Sequence, residues 1–195
     1  MSADVETRAV TADDVADLAE LFDAERTTRR CWCMAFCAPR AQFAAGWFGG
    51  GNRRRFEAMA TGSATPMGIL ASTGGRPVGW CACGPGARYA TATRSRSSIV
   101  TNRVRAEDET VWLLPCIFVR AGHRGVGISH ALVAAAVDLA RDHGAAAIEG
   151  WPLSASAGRA ADAFVGREQV FTDLDFTCVE RPTADRVVVR LAFEQ

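Results

Sequence analysis

The chain has 195 residues, 49% of them hydrophobic, and its 22 basic and 22 acidic side chains leave a formal net charge of zero. That length supports one sizeable core and is short for two, and the charge balance gives no field that would draw nucleic acid or an acidic membrane. With no basic-then-apolar leader and no apolar run of spanning length, a cytoplasmic protein is expected, and its seven cysteines then read as free thiols.

Thr7 to Val10 reads as a short strand. Thr11-Ala12-Asp13-Asp14 has the hydroxyl and acids of a helix start, and Val15, Leu18, Leu21 and Phe22 continue at helical spacing. From Thr27 to Gly51 the chain turns aromatic, with Trp32, Met34, Phe36, Phe43, Trp47 and Phe48. Cys31, Cys33 and Cys37 are poorly spaced for zinc, and His123, His130 and His143 lie far along the chain, so no metal site is expected. The segment reads either as a satellite core or as the wall of a pocket. Gly49 to Arg55 reads as a loop and charge run leading into a short helix over 55–59. Met67 to Ser72 and Pro77 to Cys83 flank a Gly-containing turn and predict a hairpin. Alternation along its second strand places Val78, Trp80 and Ala82 on one face and Gly79, Cys81 and Cys83 on the other. Arg88 to Thr110, with arginines among Ser, Thr and Asn, reads as a solvated connection.

The stretch from Val111 to Trp151 carries the organising unit. VWLLPCIFVR is a strand in which Pro115 has no amide to donate, which predicts a bulge or an unpaired edge. AGHRGVGIS cannot extend that strand, and Leu132, Ala136, Leu139 and Ala140 then recur at helical spacing up to Gly144. AAAIEG is a further short strand, so strand, Gly-rich turn, helix and strand make a parallel pair. The amides of roughly Gly125 to Ser129 stand free at the helix start, which makes an anion site with Arg124 beside it. After a loop from Pro152, Arg159 to Leu174 reads as the final helix, and Thr177 to Arg181 with Arg186 to Phe193 as a closing antiparallel pair.

Three phosphate-binding patterns compete for the turn. All 22 basic residues are arginine, which removes the Walker lysine. A dinucleotide fingerprint needs glycine where His130 stands and more strands than the remaining chain holds, although Glu149 sits at a suitable distance for a ribose; an oxidoreductase of that kind ranks second. The third pattern fits. Arg124-x-x-Gly127-x-Ser129 resembles the Arg/Gln-x-x-Gly-x-Gly/Ala signature of the GNAT superfamily of acyl-CoA-dependent N-acyltransferases, with Ser129 a small but non-standard last residue. VFTDLDFTCVE followed by RVVVRLAF resembles that family's last helix and closing strands, with Asp175 where glycine is more usual, and PVGWCACGP resembles its third strand.

The resemblance implies one α/β (α+β) domain over residues 1–195. Its sheet would be mixed and mainly antiparallel, of six to seven strands flanked by helices, with the fourth and fifth strands parallel. Acetyl-CoA would be the co-substrate, its pyrophosphate held around Arg124, Gly125, Val126, Gly127, Ile128 and Ser129 and its pantetheine arm along Ile117, Phe118 and Val119. The thioester would lie in a gap between the fourth and fifth strands, and the aromatic segment would wall the acceptor. The reaction would be direct attack by a primary amine of a small molecule or peptide, with a homodimer left open. Glu149, or second to it Glu109, would take the proton, and the Ser156 or Ser154 hydroxyl would meet the CoA sulfur. The tyrosine that many relatives carry in the final helix is missing: Phe164 stands there, and the single tyrosine is Tyr89. Cys116 has no adjacent base to make it a nucleophile. A domain that binds acyl-CoA as a sensor without turnover is the remaining alternative.

Overall fold

Strand β1 (Val5–Ala9) passes through a 3-10 turn into α1 (Val15–Phe22); the computed structural model describes residues 5–94, 110–157 and 163–194. The Asp14 carboxylate fastens this start, accepting from the Thr11 amide at 2.9 Å and the Thr11 hydroxyl at 3.0 Å. Three helices follow: α2 (Arg26–Cys31), α3 (Arg40–Gly46) and α4 (Gly51–Gly62). The chain continues through the hairpin β2 (Gly68–Thr73) and β3 (Arg76–Pro85), then α5 (Ala90–Arg94), β4 (Val111–Val119), α6 (Ile128–Asp142) and β5 (Ala147–Gly150). It closes with α7 (Glu168–Thr172), β6 (Thr177–Thr183) and β7 (Arg186–Ala192).

The seven strands form one sheet in the order β1-β2-β3-β4-β5-β7-β6. Only the β4–β5 pairing is parallel; the other five are antiparallel. This is the expected mixed sheet, and it excludes the doubly wound parallel sheet that the dinucleotide reading needs. The parallel pair is short: Val111–Leu114 faces Ala147–Gly150 and pairing then stops. Proline explains the stop on both strands, since Pro115 is the next residue of β4 and Pro152 follows β5 by two, and neither has an amide to donate. β4 nevertheless stays on β3, with Leu114 and Pro115 opposite the single residue Cys83 as a bulge.

One face of the sheet carries α6, whose Leu132, Val133, Ala136 and Ala140 are fully buried against residues such as Ile69, Cys81, Ile117 and Ile148. The helix lies close because Gly79 lacks a side chain: a Cβ there would stand 2.8 Å from Ile128 Cγ2 and 3.1 Å from Leu132 Cδ1. On the opposite face, edge-on ring contacts join Phe22 to Trp32 at 5.1 Å and to Trp80 at 6.1 Å, and Phe56 to Trp80 at 6.0 Å. No helix among the described residues is long and apolar enough to cross a membrane.

Four sequence expectations are corrected. The charge run does not loop out: Arg53, Arg54 and Arg55 lie inside α4 and take separate partners, Glu57, the Gly49 carbonyl and Asn52. Arg88 is not a solvated connector, because its guanidinium donates to the carbonyls of Pro66 at 2.7 Å and Cys83 at 3.0 Å and to Ser63 Oγ at 2.8 Å. Val78 is the extra residue in a β3 bulge opposite Ala71 and Ser72, so it joins Cys81 and Cys83 under α6 instead of Trp80. The expected long final helix is a 3-10 turn, Ala163–Val165, and the five-residue α7, separated by an extended Arg167. Residues 158–162 of that expectation, and Glu109, lie outside the described residues.

Candidate active site

The site forms where β4 loses its parallel partner. The Arg120 amide still donates to the Val78 carbonyl on β3 at 2.8 Å. Strand alternation therefore turns the peptide groups of Val119 and Ile117 the other way, into the gap. The Val119 carbonyl there accepts from Arg124 Nε at 3.0 Å.

The turn after β4 closes one end of this gap. Gly122, Gly125 and Gly127 take φ of 86°, 79° and 88°, a left-handed region that suits glycine. Gly127 is the N-cap of α6, and nothing lies within 4 Å of where its Cβ would be. The first backbone bond into the helix is Ala131 N–H to the Gly127 carbonyl, so the amides of residues 125–130 find no backbone acceptor among the described residues. With the dipole of a 15-residue helix behind them, these amides make a site for an anion.

Gap and turn open onto a cleft of about 930 Å³ lined by Ile117, Phe118, Val119, Arg124, Gly125, Gly127, Ile128 and Ser129. Eight of the nine residues expected to hold the cofactor thus meet on one surface; Val126 is in the same turn, exposed, but outside the lining. Arg124 is partly committed elsewhere, since its Nη2 lies 3.2 Å from Glu25 Oε1.

The cleft is completed by Phe164, which stands where the family tyrosine was expected, and by five residues given no site role from the sequence: His123, His130, Gly166, Arg167 and Val170. His123 Nδ1 is shielded from solvent with no hydrogen-bond partner among the described residues, a donor or acceptor suited to a ligand in the cleft. His130 Nε2 lies 2.8 Å from Asp173 Oδ2 and ties α6 to the end of α7. That imidazole, with the Gln169 amide, holds the Asp173 carboxyl below its ordinary range. His123 and His130 flank the Arg124–Ser129 motif and were legible as polar groups beside the Gly-rich turn. Arg167 had no such signal, because its place depends on the break before α7.

A second pocket of about 250 Å³ adjoins the first and shares Phe118 and Phe164 with it. Trp32, Phe36, Cys31, Cys33, Cys116 and Trp151 are among its walls, so the aromatic segment is at once a core and a pocket wall. Among the described residues no group of three His, Cys, Asp or Glu side chains is placed to hold a metal ion. Burial pushes the Cys31 thiol up to about 12, with the adjacent Cys33 adding to the shift, and the Cys116 thiol is raised by its contact with Cys33 and by burial.

The two residues expected to be catalytic lie outside both linings. Glu149 sits on β5 within the paired part of the sheet, 5% exposed, with Arg190 Nη1 of β7 3.2 Å from its Oε1. The Ser156 hydroxyl donates to the Ala184 carbonyl at 3.2 Å and meets Ser154 Oγ at 3.0 Å, which pins the loop after β5 to the β6–β7 turn.

An amide-rich cleft for an anionic ligand, joined to an apolar pocket for a second reactant, is the layout of a group-transfer enzyme. The acetyltransferase (GNAT) family model matches residues 21–165, and the chain belongs to that family. Among solved structures, yncA from Salmonella typhimurium with its cofactor acetyl-CoA is similar, with a TM-score of 0.58 at 15% identity over 98% of this chain and 95% of that one. PaiA N-acetyltransferase from Thermoplasma acidophilum, in complex with coenzyme A, has a TM-score of 0.53 at 9% identity over 97% and 99%. Ribosomal-protein-alanine N-acetyltransferase from Brucella melitensis has a TM-score of 0.56 at 18% identity over 96% and 99%. No curated protein sequence matches the chain.

Proposed function

We propose that this acetyltransferase takes its acetyl group from acetyl-CoA and passes it directly to a primary amine of a small molecule. The carrying observation is the junction of the two cavities at Phe118 and Phe164. A phosphorylated donor in the amide-lined cleft and an acceptor in the apolar pocket would meet there, which supplies the proximity that acyl transfer needs. The acetyl-CoA and coenzyme A bound to the Salmonella and Thermoplasma proteins support the choice of donor.

In this reading the amides of Gly125 to Ser129 receive the pyrophosphate, and the peptide groups of Ile117 and Val119 pair with the pantetheine amides. Arg124 and Arg167 supply positive charge at the walls. Glu149 and Ser156 are given no direct contact with the reacting atoms, because Arg190 and Ala184 hold them. The small volume of the second pocket, about 250 Å³, favours a small acceptor over a peptide.

Calorimetric titration of the full chain with acetyl-CoA, coenzyme A and NAD tests the reading. Micromolar binding of the first two and none of NAD is expected, and binding of NAD alone would overturn it. Thioester consumption in the presence of an amine separates an enzyme from a sensor that only binds.

A further inference from the structure

A separate cavity of about 320 Å³ opens among α2, α4 and the loop that joins α3 to α4. Of the described residues lining it, Trp32 alone also lines the second pocket, and none lines the cleft of the Gly-rich turn. One buried side chain holds its walls together. Asn52, fully buried near the start of α4, donates to the Arg30 carbonyl of α2 at 2.9 Å and to the Phe43 carbonyl of α3 at 3.2 Å. The Arg54 guanidinium fixes the intervening loop by donating to the Gly49 carbonyl at 2.8 Å. The cavity is therefore preformed, as small-molecule sites usually are, and its volume lies at the small end of their range.

Two kinds of group meet there. Arg29 and Arg30 come from α2 and Arg53 from α4, so one arginine of the 53–55 run joins two from another helix, with Asp23 beside them. A planar guanidinium suits a phosphate, which it can meet through two parallel N–H···O bonds. Arg29 Nε lies 3.6 Å from Asp23 Oδ1 and Arg53 Nε 2.8 Å from Glu57 Oε1, and each contact occupies part of a fork that has five N–H donors. The second kind is aromatic. Phe48 is 71% exposed, with the Arg30 guanidinium carbon 5.3 Å from its ring centre, and Trp47 is braced edge-on by Phe43 at 5.5 Å. A single exposed ring is ordinary on a protein surface. Beside three arginines at the mouth of a rigid cavity, it is half of a recognition pair.

We infer that this cavity is a second ligand site, distinct from the donor cleft, for a phosphorylated aromatic compound of about mononucleotide size. The phosphate meets the guanidinium groups of Arg29, Arg30 and Arg53, and the flat base lies against Phe48 and Trp47. Each half of the ligand answers one half of the site: a bare phosphate would leave Phe48 in water, and a neutral ring would leave the gathered cations without an anion. Arg53 also lies over the Trp32 ring at 5.2 Å, so the ligand is held next to a wall of the second pocket. The inference does not depend on the acetyl-transfer reading.

Calorimetry on the full chain tests it, with the donor cleft first saturated by coenzyme A. The probes are adenosine monophosphate and guanosine monophosphate, with inorganic phosphate, adenosine and guanosine as the separate halves. At least one nucleotide should bind in the micromolar range and about tenfold or more tighter than either of its halves. Phe48→Ser, at an exposed position, and Arg30→Gln should each weaken that nucleotide about tenfold, with the thermal melt unchanged and coenzyme A affinity within about twofold. Should one variant fold poorly, the other still reads the site. No nucleotide binding at millimolar concentration, phosphate binding as tight as the nucleotide, unchanged affinity in either folded variant, or binding seen only without coenzyme A would each overturn the inference. Failure of coenzyme A to bind would count against the acetyl-transfer reading alone, since the two variants still locate the nucleotide.

Discussion

Gly127 carries two separate demands. Its φ of 88° makes any side chain costly, and the open space at its Cβ position is where the phosphates would lie. Gly127→Ala should lower stability by about 1 kcal/mol and weaken acetyl-CoA by a larger factor than that strain explains, as denaturation and calorimetry on one sample would show. Gly127→Asp adds a negative charge against the amides, and acetyl-CoA binding should fail. An unchanged affinity in a folded Gly127→Asp protein would mean that the phosphate nest is misplaced. Helix starts usually accept aspartate, but the positive φ of Gly127 removes part of that tolerance. The phosphate turn was legible because its chemistry is local, six successive amides and three glycines. That Glu149 and Ser156 lie outside both linings was not legible, because the groups that hold them, Arg190 and Ala184, lie 41 and 28 residues away.

Among the elements, α6 is the one whose seat decides the site, because its first residue, Ile128, both opens the helix and packs on Gly79. Gly79→Val would drive methyl groups into Ile128 and Leu132. The expected cost is about 1–3 kcal/mol, accompanied by weaker acetyl-CoA binding as the helix start is displaced. A thermal melt and a titration of the variant check both; stability lost with affinity intact would separate the seat of α6 from the anion site. β4, α6 and β5 were readable from apolar periodicity, which their burial satisfies. Of the three helices between residues 26 and 62 only the middle of α4 was read, as a short helix over 55–59, because the segment has no single apolar period. The break before α7 escaped for a different reason: apolar residues continue on either side of it, and it is made by the backbone of Gly166, φ 77°, and the extended Arg167.

For the molecule as a whole, the buried thiols set a limit at high pH. Burial, with Cys33 nearby, pushes the thiols of Cys31 and Cys37 up to about 12, although each keeps some solvent contact. In the unfolded chain they ionise near 8.5, so below about pH 8.5 the native state keeps its full advantage. As pH rises from there towards 12 the unfolded chain sheds protons that the folded one retains. Stability should fall by up to about 1.4 kcal/mol per pH unit for each thiol. Urea unfolding at pH 7.5, 9 and 10 should show this slope, and Cys31→Ser with Cys37→Ser should flatten it; an equal slope in that double variant would place the alkaline sensitivity elsewhere. Neither the shared pocket nor the raised thiols could be read from Cys spacing alone, which says nothing of the neighbours that remove water.

The parting of β4 from β5 leaves an edge in the middle of the sheet. Backbone hydrogens at the centre of a seven-stranded sheet ordinarily exchange with solvent only when much of the fold opens. At Ile117 and Val119 the peptide groups face the cleft, so their amide hydrogens exchange as those of an outermost strand do, without any unfolding. Two prolines keep that window from zipping shut, and a ligand with amides of its own would close it, so that the slowing of exchange at these two positions would mark the moment the cleft is filled.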